Sequence, residues 1–101
     1  MSSRDLPGHV YLMFDHEHRI VKVGMTTQNP DKYLRSKYRP KQVWKKICVV
    51  PVEKTIEAER LLIAKCRTFL PKADGNEYYF CDIFQLDVLM EYMLNNLGPD
   101  S

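Results

Sequence analysis

Short apolar runs alternate along this chain with polar segments rich in Gly, Pro, Asn and Asp. Two such runs, residues 10–14 and 20–23, flank a polar segment at 15–19, a pattern typical of a β-hairpin. A third run rich in β-branched residues covers 43–50, and Pro51 either ends it or sits at its edge. The pattern therefore predicts three strands.

Start and stop signals in the sequence predict two helices. Asn-Pro-Asp at 29–31 supplies an N-cap, a proline suited to the first helical position and an acid at the positive end of the helix dipole. This helix is predicted to run to about Tyr38, because Arg-Pro at 39–40 stops it. A longer helix is predicted over 55–69, and the loop at Pro71 ends it.

A final helix is predicted after a short extended piece at 77–81. Asp82 and Gln85 are spaced as an N-cap and its N3 partner, and the helix runs to about residue 96. Its predicted apolar face comprises Phe84, Val88, Leu89 and Tyr92 or Met93. The whole pattern predicts an α/β domain of the α+β type, with a small, largely antiparallel three-stranded sheet flanked by helices.

The composition is that of one globular domain, with 101 residues of which 45% are hydrophobic and 28% charged. Residues 1–8 are predicted to be a flexible leader, 9–97 the domain and 98–101 a tail. Because the start lacks the pattern of a secretory signal and no apolar run could span a membrane, we expect an intracellular protein, in cytoplasm or nucleus, without a membrane partner. The three cysteines have no zinc-site spacing and are predicted to be reduced core residues: Cys48, Cys66 and Cys81.

The net charge is only +2, but the basic residues are unevenly placed. Seven of them fall between positions 31 and 46, against one acid: Lys32, Arg35, Lys37, Arg39, Lys41, Lys45 and Lys46. Such a cluster suits a polyanionic partner such as nucleic acid. A solvated, lysine-rich surface accounts for the charge pattern equally well.

Glu59 is the acidic residue whose position is most informative. At about 100° per residue it falls within the arc of apolar positions on the 55–69 helix. A carboxylate on a core-facing stripe must find a partner or serve a site, because burying it alone is costly. The residues alone leave both readings open, a structural ion pair at the core edge or a functional site.

Two short motifs stand at the hairpin, His-Val-Tyr at 9–11 and Lys-Val-Gly at 22–24, the second followed by Met-Thr-Thr. They resemble the signature of the GIY-YIG nuclease superfamily, most of all the branch of phages and large DNA viruses whose second motif reads Lys-Ile-Gly. The later helix with its Glu and the segment Gly-Asn-Glu-Tyr-Tyr-Phe at 75–80 extend the resemblance through nearly the whole chain. It implies the GIY-YIG fold, with the structural motif residues Val10, Val23 and Gly24.

The resemblance also implies an activity, the Mg²⁺- or Mn²⁺-dependent hydrolysis of phosphodiester bonds in DNA, with RNA left open. Tyr11 would act on the attacking water, and Glu59 would hold the metal. A phenol is a poor base unless a nearby cation lowers its pKa. Lys22, predicted to lie across the hairpin from Tyr11, would supply that field or bind a phosphate oxygen.

One family feature is missing from the first helix, which normally bears an Arg that stabilises charge on the phosphate. Tyr33 stands at that position here, and Arg35 points to nearly the opposite side. Lys37 lies one turn beyond Tyr33 on the same face, and Lys32 fits if the preceding loop is one residue shorter. Either lysine is a weaker substitute, because it lacks the planar fork of Arg.

Three functions therefore compete. They are a metal-dependent nuclease, a nucleic-acid-binding module that keeps the fold without the reaction, and a protein-interaction domain that uses the aromatic C-terminal region. A homodimer is left open in each case. The module predicts salt-sensitive nucleic-acid binding without cleavage, and the interaction domain predicts no nucleic-acid binding at all.

Other side chains have two readings. His16 and His18 in the hairpin turn could bind a metal, although no further ligands are in view. At least two of the rings at 78–80 are predicted to seal the core beneath the last helix, with stacking on bases as the alternative. Trp44 is predicted to pack, with a part in recognition as the alternative.

Overall fold

The computed structural model describes residues 4–38 and 43–98. The elements in these ranges are β1 (Gly8–Asp15), β2 (Ile20–Thr26), α1 (Pro30–Lys37), β3 (Trp44–Val52), α2 (Thr55–Phe69), β4 (Lys72–Asp74), β5 (Tyr78–Phe80) and α3 (Ile83–Asn96). The strands form one antiparallel sheet in the order β3-β1-β2-β5-β4. The predicted α+β class is confirmed.

The predicted three-stranded sheet is wrong, because β5 and β4 extend it to five strands. β5 pairs with the start of β2, and β4 folds back on β5 around Gly75, whose φ of 51° lies in the left-handed region that glycine tolerates. Each of these strands has only three residues. A pattern that short carries little signal until its partner is in place.

The hairpin of β1 and β2 forms the centre of the sheet and is covered on both faces. On the first face, strand residues pack against α2 and α3 in the main core: Val10, Leu12, Phe14, Val21 and Val23. On the second face, Tyr11 and Met13 pack against Leu34 of α1. Pro51 does not end β3, which continues to Val52, but β3 is an outer strand of the sheet, where a proline is tolerated.

The start of α1 agrees with the sequence pattern, since the Asn29 side chain accepts a hydrogen bond from the Lys32 N–H at 3.1 Å. The start of α2 depends on the N-terminal segment instead, because Lys54 at its N-cap makes no side-chain cap. Asp5 accepts hydrogen bonds from the N–H groups of residues 56 and 57, at 2.8 and 3.0 Å. Residues 5 and 6, placed by sequence in the leader, thus help to position the helix that carries Glu59.

The capping box of α3 is confirmed, with reciprocal hydrogen bonds of 2.8 and 2.9 Å between Asp82 and Gln85. Its buried face differs from the predicted one: Leu86, Leu89 and Met93 are buried, whereas Phe84 is 81% and Val88 43% exposed. The helix is apolar on more than one side, so packing against α2 and β3 selects the buried stripe.

The three rings of β5 separate because successive strand residues point to opposite faces. Tyr79 is buried in the main core, and Phe80 is 46% exposed. Tyr78 lies on the second face, where its ring centroid is 5.9 Å from that of Trp44. The prediction that at least two of these rings seal the core beneath the last helix is therefore wrong.

Two further predictions concern the cysteines and membranes. Cys66 and Cys81 are buried in the main core as predicted, whereas Cys48 is half-buried against it. Among the described residues, no helix combines the length and the apolar character needed to cross a membrane.

Candidate functional site

The ring of Tyr11 occupies the space of a missing side chain. Tyr11 lies directly across from Gly24 in the β1–β2 pairing, and only 1% of it is exposed. A Cβ added at Gly24 would collide with Cζ and Oη of Tyr11 and would lie 2.6 Å from its Cε1. Position 24 therefore requires glycine, because the phenol packs against its backbone.

Lys22 lies on the same face of the sheet, but its strand partner is Met13. Tyr11 and Lys22 are thus diagonal neighbours on one face of the hairpin. The prediction that they face each other directly is wrong, because Lys22 lies across from the residue two positions beyond Tyr11. Lys22 is 4% exposed, and its Nζ lies 5.4 Å from the ring centroid of Tyr38 and 5.7 Å from that of Tyr78. Both distances allow cation–π attraction, which helps to stabilise a buried ammonium.

α1 brings a second lysine to this site. Lys37 Nζ donates a hydrogen bond of 3.1 Å to the hydroxyl of Tyr33, the residue that replaces the expected Arg. The same Nζ lies 6.0 Å from the ring centroid of Tyr38, which it shares with Lys22. Tyr33 thus carries no charge itself, but its hydroxyl binds the ammonium group of Lys37 at the site.

The pKa shifts tie the charged groups of the site together. Burial, together with the neighbouring Lys37, lowers the pKa of Lys22 to about 8. Burial and then the Glu77 carboxylate raise the pKa of Glu59, while Lys22 and Lys37 oppose that rise. The two ion pairs of the described residues involve neither Lys22 nor Glu59. Glu59 is therefore a half-buried carboxylate at a shared site, and the structural ion pair considered from sequence is not present in the described part of the chain.

Tyr11 does not have the lowered pKa that the sequence analysis expected from Lys22. Burial, followed by the adjacent Tyr38, raises the pKa of Tyr11, and the cation that opposes the rise is Lys37. The Tyr11 hydroxyl therefore keeps its proton at neutral pH. Chemically it can orient a water molecule or donate to an oxyanion, and it is a poor base.

The basic residues predicted to bind nucleic acid are spread over several places. Lys37 belongs to the site, and Lys32 lines a cleft beside it with Tyr33. Arg35 and Lys46 line a different cavity, between α1 and β3. Lys45 pairs with Phe14, so it lies on the opposite face of the sheet. Two further candidates, Arg39 and Lys41, lie outside the described residues.

Sequence reasoning missed three members of the site: Tyr38, Glu77 and Tyr78. The strand alternation of residues 78–80 could have separated Tyr78 from Tyr79 once their pairing with β2 was known. No local signal marks Glu77, whose backbone C=O accepts a hydrogen bond from the Val23 N–H at 2.9 Å. Its place at the site follows from the sheet extension that the sequence did not reveal.

A divalent cation is compatible with the carboxylates of this site. Mg²⁺ is commonly held by one or two carboxylates, with water and phosphate oxygens completing its coordination. Glu59 and Glu77 offer such a pair, and their mutual repulsion, which contributes to the raised pKa of Glu59, is the kind that a bound cation relieves. Glu59 and Glu77 are therefore the residues that would hold such an ion.

A second group of possible ligands lies at the hairpin turn. Atoms of Asp15, Glu17 and His18 lie within 4.8 Å of one another, and His16 is not among them. The Asp15 carboxylate accepts hydrogen bonds from the N–H groups of residues 17 and 18 and lies 2.7 Å from the His18 ring. These contacts fix the turn, and they account for the cluster without a metal.

Comparisons with protein-family models, curated proteins and solved structures found no match to this chain. The resemblance to the GIY-YIG nucleases stays a prediction from its motifs. The residues on which that prediction depends lie in or beside one site: Tyr11, Lys22, Gly24 and Glu59.

Replacing Gly24 with alanine is expected to displace the Tyr11 ring and lower the free energy of unfolding by about 1–3 kcal/mol, as overpacking does. Gly98→Ala is the matched control, because the nearest atom to a Cβ there, the Leu94 carbonyl oxygen, is 3.6 Å away. Denaturant unfolding measures both variants. A Gly24→Ala protein as stable as the control would contradict the packing described here.

Replacing Lys22 with methionine is expected to raise the free energy of unfolding at pH 7. The pKa of Lys22 is about 8 in the folded protein against an ordinary 10.5, so the unfolded chain binds this proton more tightly. The wild type should therefore gain stability between those two pH values, and the variant should lack that gain. Urea titrations from pH 7 to 10 test this, with exposed Lys45→Met as the control. A variant less stable than wild type at pH 7 would disprove the burial penalty.

Proposed function

We propose that this protein is a divalent-metal-dependent nuclease that hydrolyses phosphodiester bonds in DNA. The observation that carries the proposal is the convergence of Tyr11, Lys22, Lys37 and Glu59 on one half-buried site. Phosphodiester hydrolysis needs an oriented water, a group that accepts the proton of that water, a cation near the phosphate and an oxygen ligand for the metal. Tyr11, Lys22, Lys37 and Glu59 offer one group for each need.

The roles follow from protonation states. Tyr11 keeps its proton, so it would orient the attacking water by hydrogen bonding. Lys22, with a pKa of about 8, is partly neutral at mildly alkaline pH and could accept the proton that this water loses. The roles therefore differ from those that the family resemblance implies, where the tyrosine acts on the water with help from the lysine.

Lys37, which lies one helical turn beyond Tyr33 on α1, would stabilise charge on the phosphate in place of the absent Arg. Its hydrogen bond to Tyr33 restricts the ammonium, which otherwise sits on a flexible side chain. Glu59, together with Glu77, would hold Mg²⁺ or Mn²⁺. When bound, the metal supplies charge that polarises the phosphate and stabilises the departing oxygen.

One small domain offers a limited surface for reading a DNA sequence. We therefore propose weak sequence preference, with selection coming from DNA structure such as a flap or branch, or from a homodimer. The protein would act inside the cell, where such DNA is found, and RNA remains an alternative substrate.

A nucleic-acid-binding module without catalysis is the second candidate. Two observations favour it, the Tyr33 side chain at the position of the expected Arg and the raised pKa of Tyr11. It predicts salt-sensitive binding without cleavage under any divalent ion. A protein-interaction domain, the third candidate, would not bind nucleic acid even at low salt.

Glu59→Gln and Tyr11→Phe are each expected to lower the rate of cleavage by about 100-fold or more, because each removes a group that acts on the reacting atoms. The assay uses supercoiled plasmid and branched DNA with Mg²⁺ or Mn²⁺. Glu57→Gln, an exposed carboxylate on the same helix, is the matched control and should cut normally. A wild type that shifts DNA in a gel without cutting it would instead favour the binding module.

Lys37→Ala is expected to lower kcat by about 100-fold, the usual effect of losing one group that stabilises transition-state charge. Lys37→Arg should restore most of the rate, because the guanidinium keeps the charge and can still donate to Tyr33. Lys32→Ala serves as the control for lost surface charge. If Lys32→Ala and Lys37→Ala both raise only KM, Lys37 binds DNA without taking part in the reaction.

A further inference from the structure

The cavity between α1 and β3, which Arg35 and Lys46 line, has a volume of about 290 Å³. The buried side chains of Met13 and Leu34 line it, together with the rings of Tyr38 and Trp44. Its volume lies just below the range of about 300–1,000 Å³ for ligand pockets. Such a space suits one planar ring system better than an extended chain.

The rings of Tyr38 and Trp44 do not stack on each other, and each packs against another aromatic ring. The ring centroids of Tyr38 and Trp44 lie 6.3 Å apart, and their planes are inclined by 59°, so they do not stack on each other. Trp44 is braced by Tyr78 at 5.9 Å, and Tyr38 by Tyr11 at 6.5 Å between centroids. The cavity therefore presents aromatic surface packed against neighbouring rings, on which a base can stack whatever its identity.

Charged groups also line the cavity. Arg35 and Lys46 add two exposed cations, and Asp31 accepts a hydrogen bond of 3.1 Å from Lys46. Cations beside an aromatic surface are the combination that single-stranded nucleic acids favour, because the phosphates are neutralised where the bases stack. A carboxylate at the same place can accept a hydrogen bond from a base amino group.

The cavity adjoins the candidate active site through Tyr38. This ring lines the cavity, packs against Tyr11 and lies 5.4 Å from Lys22 Nζ. We propose that the cavity accepts one unpaired nucleobase, so that the substrate is a nucleic acid with an unpaired nucleotide next to the cleaved bond. The cleavage part of this inference rests on the proposed nuclease function. The base-binding part does not.

Trp44 is the only tryptophan of the chain, so its fluorescence reports on the cavity directly. The probes are a single-stranded oligonucleotide, a fully paired duplex and the same duplex with one unpaired nucleotide, all in EDTA so that nothing is cut. We expect the single strand and the bulged duplex to quench the Trp44 fluorescence at concentrations about tenfold or more below those at which the paired duplex does. This difference is what the stacking of one base implies. Equal quenching by all three would overturn the inference.

Variants separate stacking from charge. Trp44→Leu should remove the preference for the bulged duplex, measured by anisotropy of labelled DNA, while Trp44→Phe should keep part of it. Because Trp44 also packs, circular dichroism must show that both variants are folded. If Trp44→Leu does not fold, Lys46→Ala tests the same cavity from its exposed rim, with exposed Lys72→Ala as the matched control. A Lys46→Ala protein that binds the bulged duplex no more weakly than the control would contradict the inference.

The two proposals fail in different ways. Quenching by an unpaired base without cleavage in Mg²⁺ or Mn²⁺ would support the cavity and overturn the nuclease. Cleavage of paired duplex as fast as bulged duplex, with Trp44 fluorescence unchanged, would support the nuclease and overturn the base cavity. Absence of any binding at low salt would overturn both.

Discussion

The contact between the Tyr11 ring and the backbone of Gly24 determines how the second face of the sheet is built. A side chain at position 24 would exclude the ring, so the phenol can take this position only beside glycine. The rings of Tyr33 and Tyr38 then pack around it, and α1 closes this face through Leu34. The lysines of the site take their positions from these rings, since Lys37 lies over Tyr33 and both ammonium groups lie over Tyr38.

The two faces of the sheet do different work. The first face is an apolar core shared with α2 and α3, and it supplies the burial that drives folding. The second face buries Lys22 and places it near the half-buried Glu59, and burial disfavours the charged forms of both groups. Such an arrangement lowers stability, and natural proteins retain costly groups of this kind mainly where function uses them. The apolar burial on the first face offsets the free-energy cost of burying charged groups on the second face.

The sequence was most informative where the physics is local. The caps at Asn29 and Asp82 depend on neighbours within three residues, and both are as predicted. The three-residue strands and the buried stripe of α3 depend on distant partners, and the pattern misjudged both. The same limit applies to the candidate site. Tyr11 and Lys22 were placed on one face correctly, but their diagonal offset follows from the hairpin register, and the raised pKa of Tyr11 follows from burial that only packing reveals.

Both outer strands of the sheet are poorly suited to pairing with another chain. β3 contains Pro51, which has no N–H to donate, and exposed lysines at 45 and 46. At the other side, β4 has only three residues. Short strands, proline and lysine are the features that keep sheet edges from growing into aggregates. At high concentration this domain should therefore resist fibril formation by strand addition, and any association of two copies would have to use helices or side chains instead.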